Sequence, residues 1–230
     1  MLPVGIETTT YKILQGLETQ DKTCLCLGYS DLLVDPKLIN GEYKELPDAE
    51  KIRVWHGWPN PVYDTTEVLI GELGFKKVDY VDIVQARGPE RIVDLNYPEE
   101  WDEQYDVVID GGTAEHCFNI GQVFANILSA TRPDGGVVIH VNPLNMVNHG
   151  FWNISPTAYA DFYKDNGFDM ISGCGVAGPM SDRSVVPYEK GHLRGKFKFE
   201  QPIEVTNIMA FERMTKHTGP VIWPMQSKYR

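Results

Sequence analysis

An acid followed by two glycines, closing a short apolar run, restricts this chain to few folds. The run is Tyr105 to Asp110, and Gly111, Gly112, Thr113, Ala114, Glu115 and His116 follow it. Next comes an amphipathic stretch from Cys117 to Ala130, with Ile120, Val123, Phe124, Ile127 and Leu128 on one stripe at the helical period. Arg132-Pro-Asp-Gly-Gly then turns the chain into a second apolar run, Gly136 to Val141. The order strand, loop, helix, turn, strand belongs to a parallel sheet flanked by helices. Such open sheets hold their ligands at the carboxyl ends of the strands, so the layout also says where to look for a site.

The rest of the chain extends the alternation. A leading helix is expected over residues 8–20. Strands are expected at Thr23 to Leu27, Lys77 to Asp82, Arg91 to Leu95 and Asn207 to Arg213, and a helix at Tyr63 to Leu73 stopped by Gly74. Ser155-Pro-Thr reads as a helix start, with Ser155 as cap and Pro156 in the first turn, and Gly167 ends that helix. The stretch 31–61 is long, polar and proline-bearing, and too long for an ordinary connection, so it reads as an insertion or lid. It carries Trp55, His56 and Trp58, a possible cover for a site. Ser172 to Phe199 is rich in Gly, Pro and charge, and 172–230 as a whole reads as an irregular C-terminal segment. The expectation is a single domain over 1–230: an α/β, doubly wound, mostly parallel seven-stranded sheet of Rossmann-like kind with an antiparallel last strand.

Charge narrows the partners. The formal net charge is −11, whereas a chain that grips a phosphate backbone usually presents a basic face, so no nucleic acid is expected. No apolar run approaches the roughly 20 residues of a membrane span, and no secretory leader pattern is visible, which predicts a cytoplasmic protein away from membranes. Cys24, Cys26, Cys117 and Cys174 show no metal-ligand spacing. Cys24 and Cys26 alternate in one strand and read as small core residues. No metal is expected.

Three acids end successive strands: Asp82, Asp94 and Asp110. A carboxylate at such a position can accept both hydroxyls of a ribose, and the next one along can accept the exocyclic amine of adenine. Asp also ends strands simply because it suits turns. Taken with Asp110-Gly-Gly-Thr-Ala-Glu-His116 and His149-Gly-Phe-Trp-Asn-Ile-Ser-Pro-Thr157, the chain resembles the class I S-adenosylmethionine-dependent methyltransferases over roughly residues 22–170. The particular likeness is to the branch in which both motifs occur.

The resemblance implies S-adenosyl-L-methionine as cofactor, with Asp82 on the ribose, Asp94 and Leu95 flanking the adenine, and Asp110, Gly111, Gly112 and Thr113 at the methionine end. The first loop, Gly28, Tyr29, Ser30 and Asp31, departs from the family pattern by holding one glycine. Tyr29 and Ser30 narrow the approach there, so either the cofactor sits slightly differently, or Asp31 takes the methionine amine, or binding is weak. The implied reaction is methylation, O-directed, of a small polar molecule or saccharide. His149 is the foremost candidate for general base, since imidazole titrates near working pH. His116 is the second, placed to orient the loop or touch the acceptor. His140, inside an apolar run, reads as a core histidine with its hydrogen bonds satisfied. The single-glycine loop leaves open a second reading, a methyltransferase-like fold that binds or scaffolds without catalysis. It argues against a nicotinamide dehydrogenase, whose glycines cradle a pyrophosphate.

Overall fold

The computed structural model describes residues 5–178, 182–188, 204–215 and 219–229. Its strands are β1 (Ile6–Glu7), β2 (Thr23–Leu27), β3 (Leu32–Leu33), β4 (Lys77–Asp82), β5 (Arg91–Ile92), β6 (Val107–Asp110), β7 (Val137–Pro143), β8 (Phe168–Ala177), β9 (Ser184–Pro187) and β10 (Val205–Arg213). Its α-helices are α1 (Thr8–Gln15), α2 (Ala49–His56), α3 (Thr65–Leu73), α4 (Ile120–Ala130) and α5 (Pro156–Asp165). The main sheet runs β5-β4-β2-β6-β7-β10-β8-β9. β5, β4, β2, β6 and β7 pair in parallel, β10 lies antiparallel between β7 and β8, and β9 is antiparallel to β8. The mostly parallel sheet and its antiparallel final strand are as expected. Among the described residues it has eight strands rather than seven, because Ser184–Pro187 adds an edge strand.

This order has one reversal. From β2 the chain steps outward to β4 and β5, then returns to the other side of β2 with β6. Helices leaving β2 and β6 therefore depart to opposite faces, and a crevice opens between the carboxyl ends of these two strands.

Period-2 alternation splits the core into two layers. Leu25 and Leu27 of β2 face one side, with Val108, Val138 and the α4 and α5 residues Val123, Phe124, Ile127, Tyr159, Phe162 and Tyr163. Cys24 and Cys26 face the other, with Ile109, Ile139, Tyr11 and Leu14 of α1, and Val68 and Leu69 of α3. Each such buried side chain contributes about 1.5–3 kcal/mol. The two cysteines are core residues, their sulfurs 3.9 Å apart. Caps set the helix starts: Asp64 accepts from the Glu67 N–H, Asn119 from Gln122 and Ser155 from Thr157.

Two stretches differ from expectation. The 31–61 segment holds β3, which pairs in parallel with β1, and the helix α2. Leu33, Ala49, Ile52, Trp58 and Val62 form a small core of their own, so the stretch is a packed layer. The segment beginning at residue 172 was read as irregular, yet Ser172 to Ala177 complete β8. Its Gly173 and Gly175 hide the strand from propensity, since glycine offers no side chain to pack. The ladder to β10 runs its full length and overrides that local weakness. Lys190 to Lys198, the best candidate in the sequence for a local basic patch, lies outside the described residues. No helix among the described residues is long and apolar enough to cross a membrane.

Candidate functional site

The tips of β2, β4 and β6 converge at the crevice. Gly28 follows β2 with φ +75°, a conformation that favours glycine. A Cβ there would lie 2.9 Å from Thr113 Oγ1 and 3.6 Å from Asp82 Oδ2. Thr113 Oγ1 donates to the Leu27 carbonyl at 2.7 Å, tying the β6 loop to β2. Asp82 is half-buried; its Oδ1 accepts weakly from the Val84 N–H at 3.3 Å. Among the described residues no donor reaches Asp82 Oδ2, so this oxygen is available to a ligand.

Asp94 is exposed, and its Oδ1 accepts from the backbone N–H and side-chain amide of Asn96, an Asx turn that closes the loop. Leu95 is buried in the core layer beneath it. Gly111 needs its missing side chain for a different reason from the one expected. A Cβ there would come 2.2 Å from Ser30 Oγ, so the space belongs to the neighbouring loop rather than to a ligand. Gly112 has φ +97° and makes the turn into Thr113.

Three residues of the first reading sit differently. Tyr29 does not narrow the crevice: its ring stacks on Tyr80 at 4.3 Å and its hydroxyl donates to Asp64 at 2.6 Å. Burial, then that hydrogen bond, raises its pKa to about 12. Asp31 is turned to the insertion, with Oδ2 2.9 Å from His56 Nε2 and Oδ1 accepting from Arg87 at 3.0 Å. Asp110 is fully buried. Its Oδ1 accepts from the Thr113 and Ala114 N–H groups, both at 3.0 Å. Its Oδ2 meets His140 Nδ1 at 2.7 Å and Asn142 Nδ2 at 3.0 Å. Burial pushes the Asp110 carboxyl up, but the His140 contact and the two N–H donors outweigh it and hold the group below its ordinary value. Asp110 therefore shapes the loop from beneath instead of presenting oxygens to a ligand.

A buried polar network continues from it. His140 Nε2 lies 2.7 Å from the Tyr163 hydroxyl, and the Tyr159 hydroxyl donates to Asn142 Oδ1 at 2.6 Å. Burial, then the charge of Asp110, raises the pKa of both tyrosines well above the usual value, so both remain neutral donors. Asn142 Nδ2 also donates to Glu115 Oε2 at 2.9 Å. The core reading of His140 holds, with every ring nitrogen engaged.

Glu115 links this network to the surface. It is fully buried, and its Oε1 lies 3.4 Å from His149 Nε2 and 3.9 Å from His116 Nε2. Among the described residues neither Glu115 Oε1 nor His149 Nε2 has a hydrogen-bond partner. The loop carrying His149 is pinned because the Phe151 and Trp152 N–H groups donate to the Glu115 carbonyl. Gly150 permits that approach, since a Cβ would lie 2.8 Å from the carbonyl oxygen and 3.1 Å from His116 Nδ1. The side chain of His116 is 50% exposed and that of His149 only 11%, so His116 is the ring that meets solvent. Beside them Phe118, Phe151 and Trp152 form an exposed aromatic group, with Phe118 edge-on to Phe151 at 5.5 Å.

Sequence reasoning missed Glu115 and Cys117. The Cys117 thiol donates to the Thr113 carbonyl at 3.6 Å. Its pKa is raised to about 12 by burial first, then by the negative charge of Asp110, Asp94, Glu115 and Asp82. The strand-end acids thus add their charge at this one thiol, behind the larger effect of its burial. Chain spacing carries no signal for this, because the four carboxylates come from three strand ends and a turn.

The chain matches no protein-family model and no curated protein. Among solved structures it is similar to a protein assigned as a sarcosine dimethylglycine methyltransferase from Galdieria sulphuraria, at 10% identity over 90% of this chain and 82% of that one, with a TM-score of 0.49. It is also similar to a protein assigned as an S-adenosylmethionine-dependent methyltransferase from Listeria monocytogenes, at 10% identity, 89% and 97% coverage and TM-score 0.46. A third is the branched-chain polyamine synthase from Thermus thermophilus, at 15% identity, 96% and 59% coverage and TM-score 0.44. Identities this low leave the chemistry of the site to be argued from its own side chains.

Proposed function

We infer that this protein binds S-adenosyl-L-methionine at the rim formed by β2, β4 and β6 and transfers its methyl group to a small polar acceptor. The observation that carries the reading is the rim itself: the space above Gly28 is flanked by Thr113 Oγ1 and Asp82 Oδ2, and the carboxylates of Asp82, Asp94, Asp110 and Glu115 add negative charge nearby. A sulfonium is a cation without a phosphate, and such a field favours it. Asp82 Oδ2, free of any donor among the described residues, suits the hydroxyls of a ribose. Asp94 and Leu95 follow at the adenine side, and Gly28, Gly112 and Thr113 supply backbone at the methionine end. Asp110 and Asp31 act on this surface through their neighbours.

Methyl transfer asks the protein chiefly to align donor and acceptor. His149 and His116, gathered on Glu115, are the polar side chains we place beside the acceptor. Phe118, Phe151 and Trp152 offer it an apolar face on which a ring can stack. A hydroxyl of a small metabolite or saccharide fits this pairing of rings and polar groups. A second reading, binding without catalysis, draws on the crowding of the first loop, where Ser30 fills the space over Gly111 and Arg87 holds Asp31.

Calorimetric titration with S-adenosylhomocysteine tests the reading. Micromolar binding, weakened by Asp82→Ala, is expected. Losing hydrogen bonds between a carboxylate and the ribose costs about 1.5–3 kcal/mol, or roughly 10–150-fold in affinity. Absence of binding at millimolar ligand, or equal affinity in the variant, would remove the cofactor assignment.

A further inference from the structure

Glu115, His116 and His149 offer one ligand atom each, and the three atoms lie within 4.8 Å of one another. We propose that these three side chains bind a divalent transition-metal ion. Two imidazoles and a carboxylate are a donor set suited to zinc, iron, cobalt or nickel, whereas magnesium and calcium prefer all-oxygen sites.

One of the three separations already fits. Ligands about 2.0–2.2 Å from a tetrahedral ion lie roughly 3.3–3.6 Å apart. Glu115 Oε1 and His149 Nε2 already stand at 3.4 Å, and His116 Nε2 is 3.9 Å from the same oxygen. His116 must swing closer for all three donors, which lie within 4.8 Å of one another, to reach one ion, and its ring is half-exposed. An independent observation points the same way. Glu115 is fully buried, and its Oε1 faces a buried ring nitrogen, with no hydrogen bond on either atom among the described residues. An unsatisfied buried polar atom costs about 1–3 kcal/mol, and a shared cation relieves both at once. The carboxylate is also held from behind. Glu115 Oε2 accepts from Asn142, which is fixed in turn by Asp110 and Tyr159. Outer partners of this kind orient the donors of metal sites.

Three protein ligands leave a coordination position open, as in catalytic rather than structural sites. The role of the ion at the acceptor rests on the methyl-transfer reading; its binding does not. With the acceptor hydroxyl on the ion, its proton passes to solvent more readily. The oxygen lone pair then forms the bond to the methyl carbon as the carbon–sulfur bond breaks, its electron pair going to sulfur. The acceptor class so defined is a small molecule with a metal-binding hydroxyl on a ring.

Untagged full-length protein, stripped with chelator and titrated with Co2+, tests the site by its visible d–d absorption, with Zn2+ competition and elemental analysis for stoichiometry. One ion per chain is expected, with His116→Ala and His149→Ala each weakening binding at least tenfold. His116→Ala removes a half-exposed ring, so its fold should be intact by circular dichroism. Absence of cobalt bands, or wild-type affinity in a folded His116→Ala, overturns the proposal. Titration with S-adenosylhomocysteine on the same samples reads the other site separately: cofactor binding without cobalt bands sinks the metal site alone, and cobalt bands without cofactor binding uphold it while removing the transfer chemistry.

Discussion

Replacing Asp110 with Asn changes one oxygen for an amide at the centre of the buried network. The carboxylate accepts from four donors: the Thr113 and Ala114 N–H groups, His140 Nδ1 and Asn142 Nδ2. Asn has one oxygen and an amide that can only donate. If the oxygen stays on the two backbone N–H groups, the new amide faces His140 and Asn142. The His140 ring can change tautomer and accept, with the Tyr163 hydroxyl reversed, but the Asn142 amide cannot. One buried donor is left unpaired at about 1–3 kcal/mol, and the surviving bonds lose their charge assistance. The expected cost is about 3–5 kcal/mol, a large part of an ordinary stability. For a chain this size that is a fall of roughly 6–20 °C in melting midpoint. Urea denaturation followed by circular dichroism measures it. The pH profile supplies a second check. The folded carboxyl titrates below its ordinary value, so its contribution is complete above about pH 4 and is lost as pH falls through the folded pKa. The Asn variant should lose that acid-dependent part of the profile. A destabilisation under about 1 kcal/mol with an unchanged acid limb would refute the network account.

Three further outcomes are expected. His149→Ala should keep its affinity for S-adenosylhomocysteine while turnover on a competent acceptor falls; normal turnover would move the acceptor side elsewhere. Gly150→Ala should displace the loop from the Glu115 carbonyl and destabilise the protein by about 1–3 kcal/mol, since the added Cβ collides with backbone; an unaltered melting curve would contradict the packing. Cys117, with its thiol pKa near 12, should alkylate far more slowly in the folded than in the unfolded chain, and more slowly again with cofactor product bound. Mass spectrometry reads both rates, and a fast native reaction would deny the burial and negative surroundings of this thiol.

Much of the scaffold was legible because its signals are local. The apolar run ending in Asp110, the stripe on α4 and the cap at Ser155 each follow from a repeat of two, a repeat near 3.6 or one capping side chain. β8 was hidden because glycine-rich strands depend on ladder partners far along the chain. The candidate site divides in the same way. Asp82 stands at a strand end where its position alone marks it, and the tertiary structure leaves one of its oxygens unclaimed. Asp110 bears the same local signature, yet only packing reveals that four donors draw it inward.

The order of polar and apolar residues by itself determined the strand and helix alternation, and with it the sheet rim as the place to look for a ligand. Tertiary structure alone decided which carboxylates look outward and which are consumed in the core. It also set Glu115, His116 and His149 together, although a helix and a strand separate them in the chain. The physical reason is range: periodicity and capping act over a few residues, whereas burial, charge and ligand geometry depend on neighbours that only the folded chain brings near.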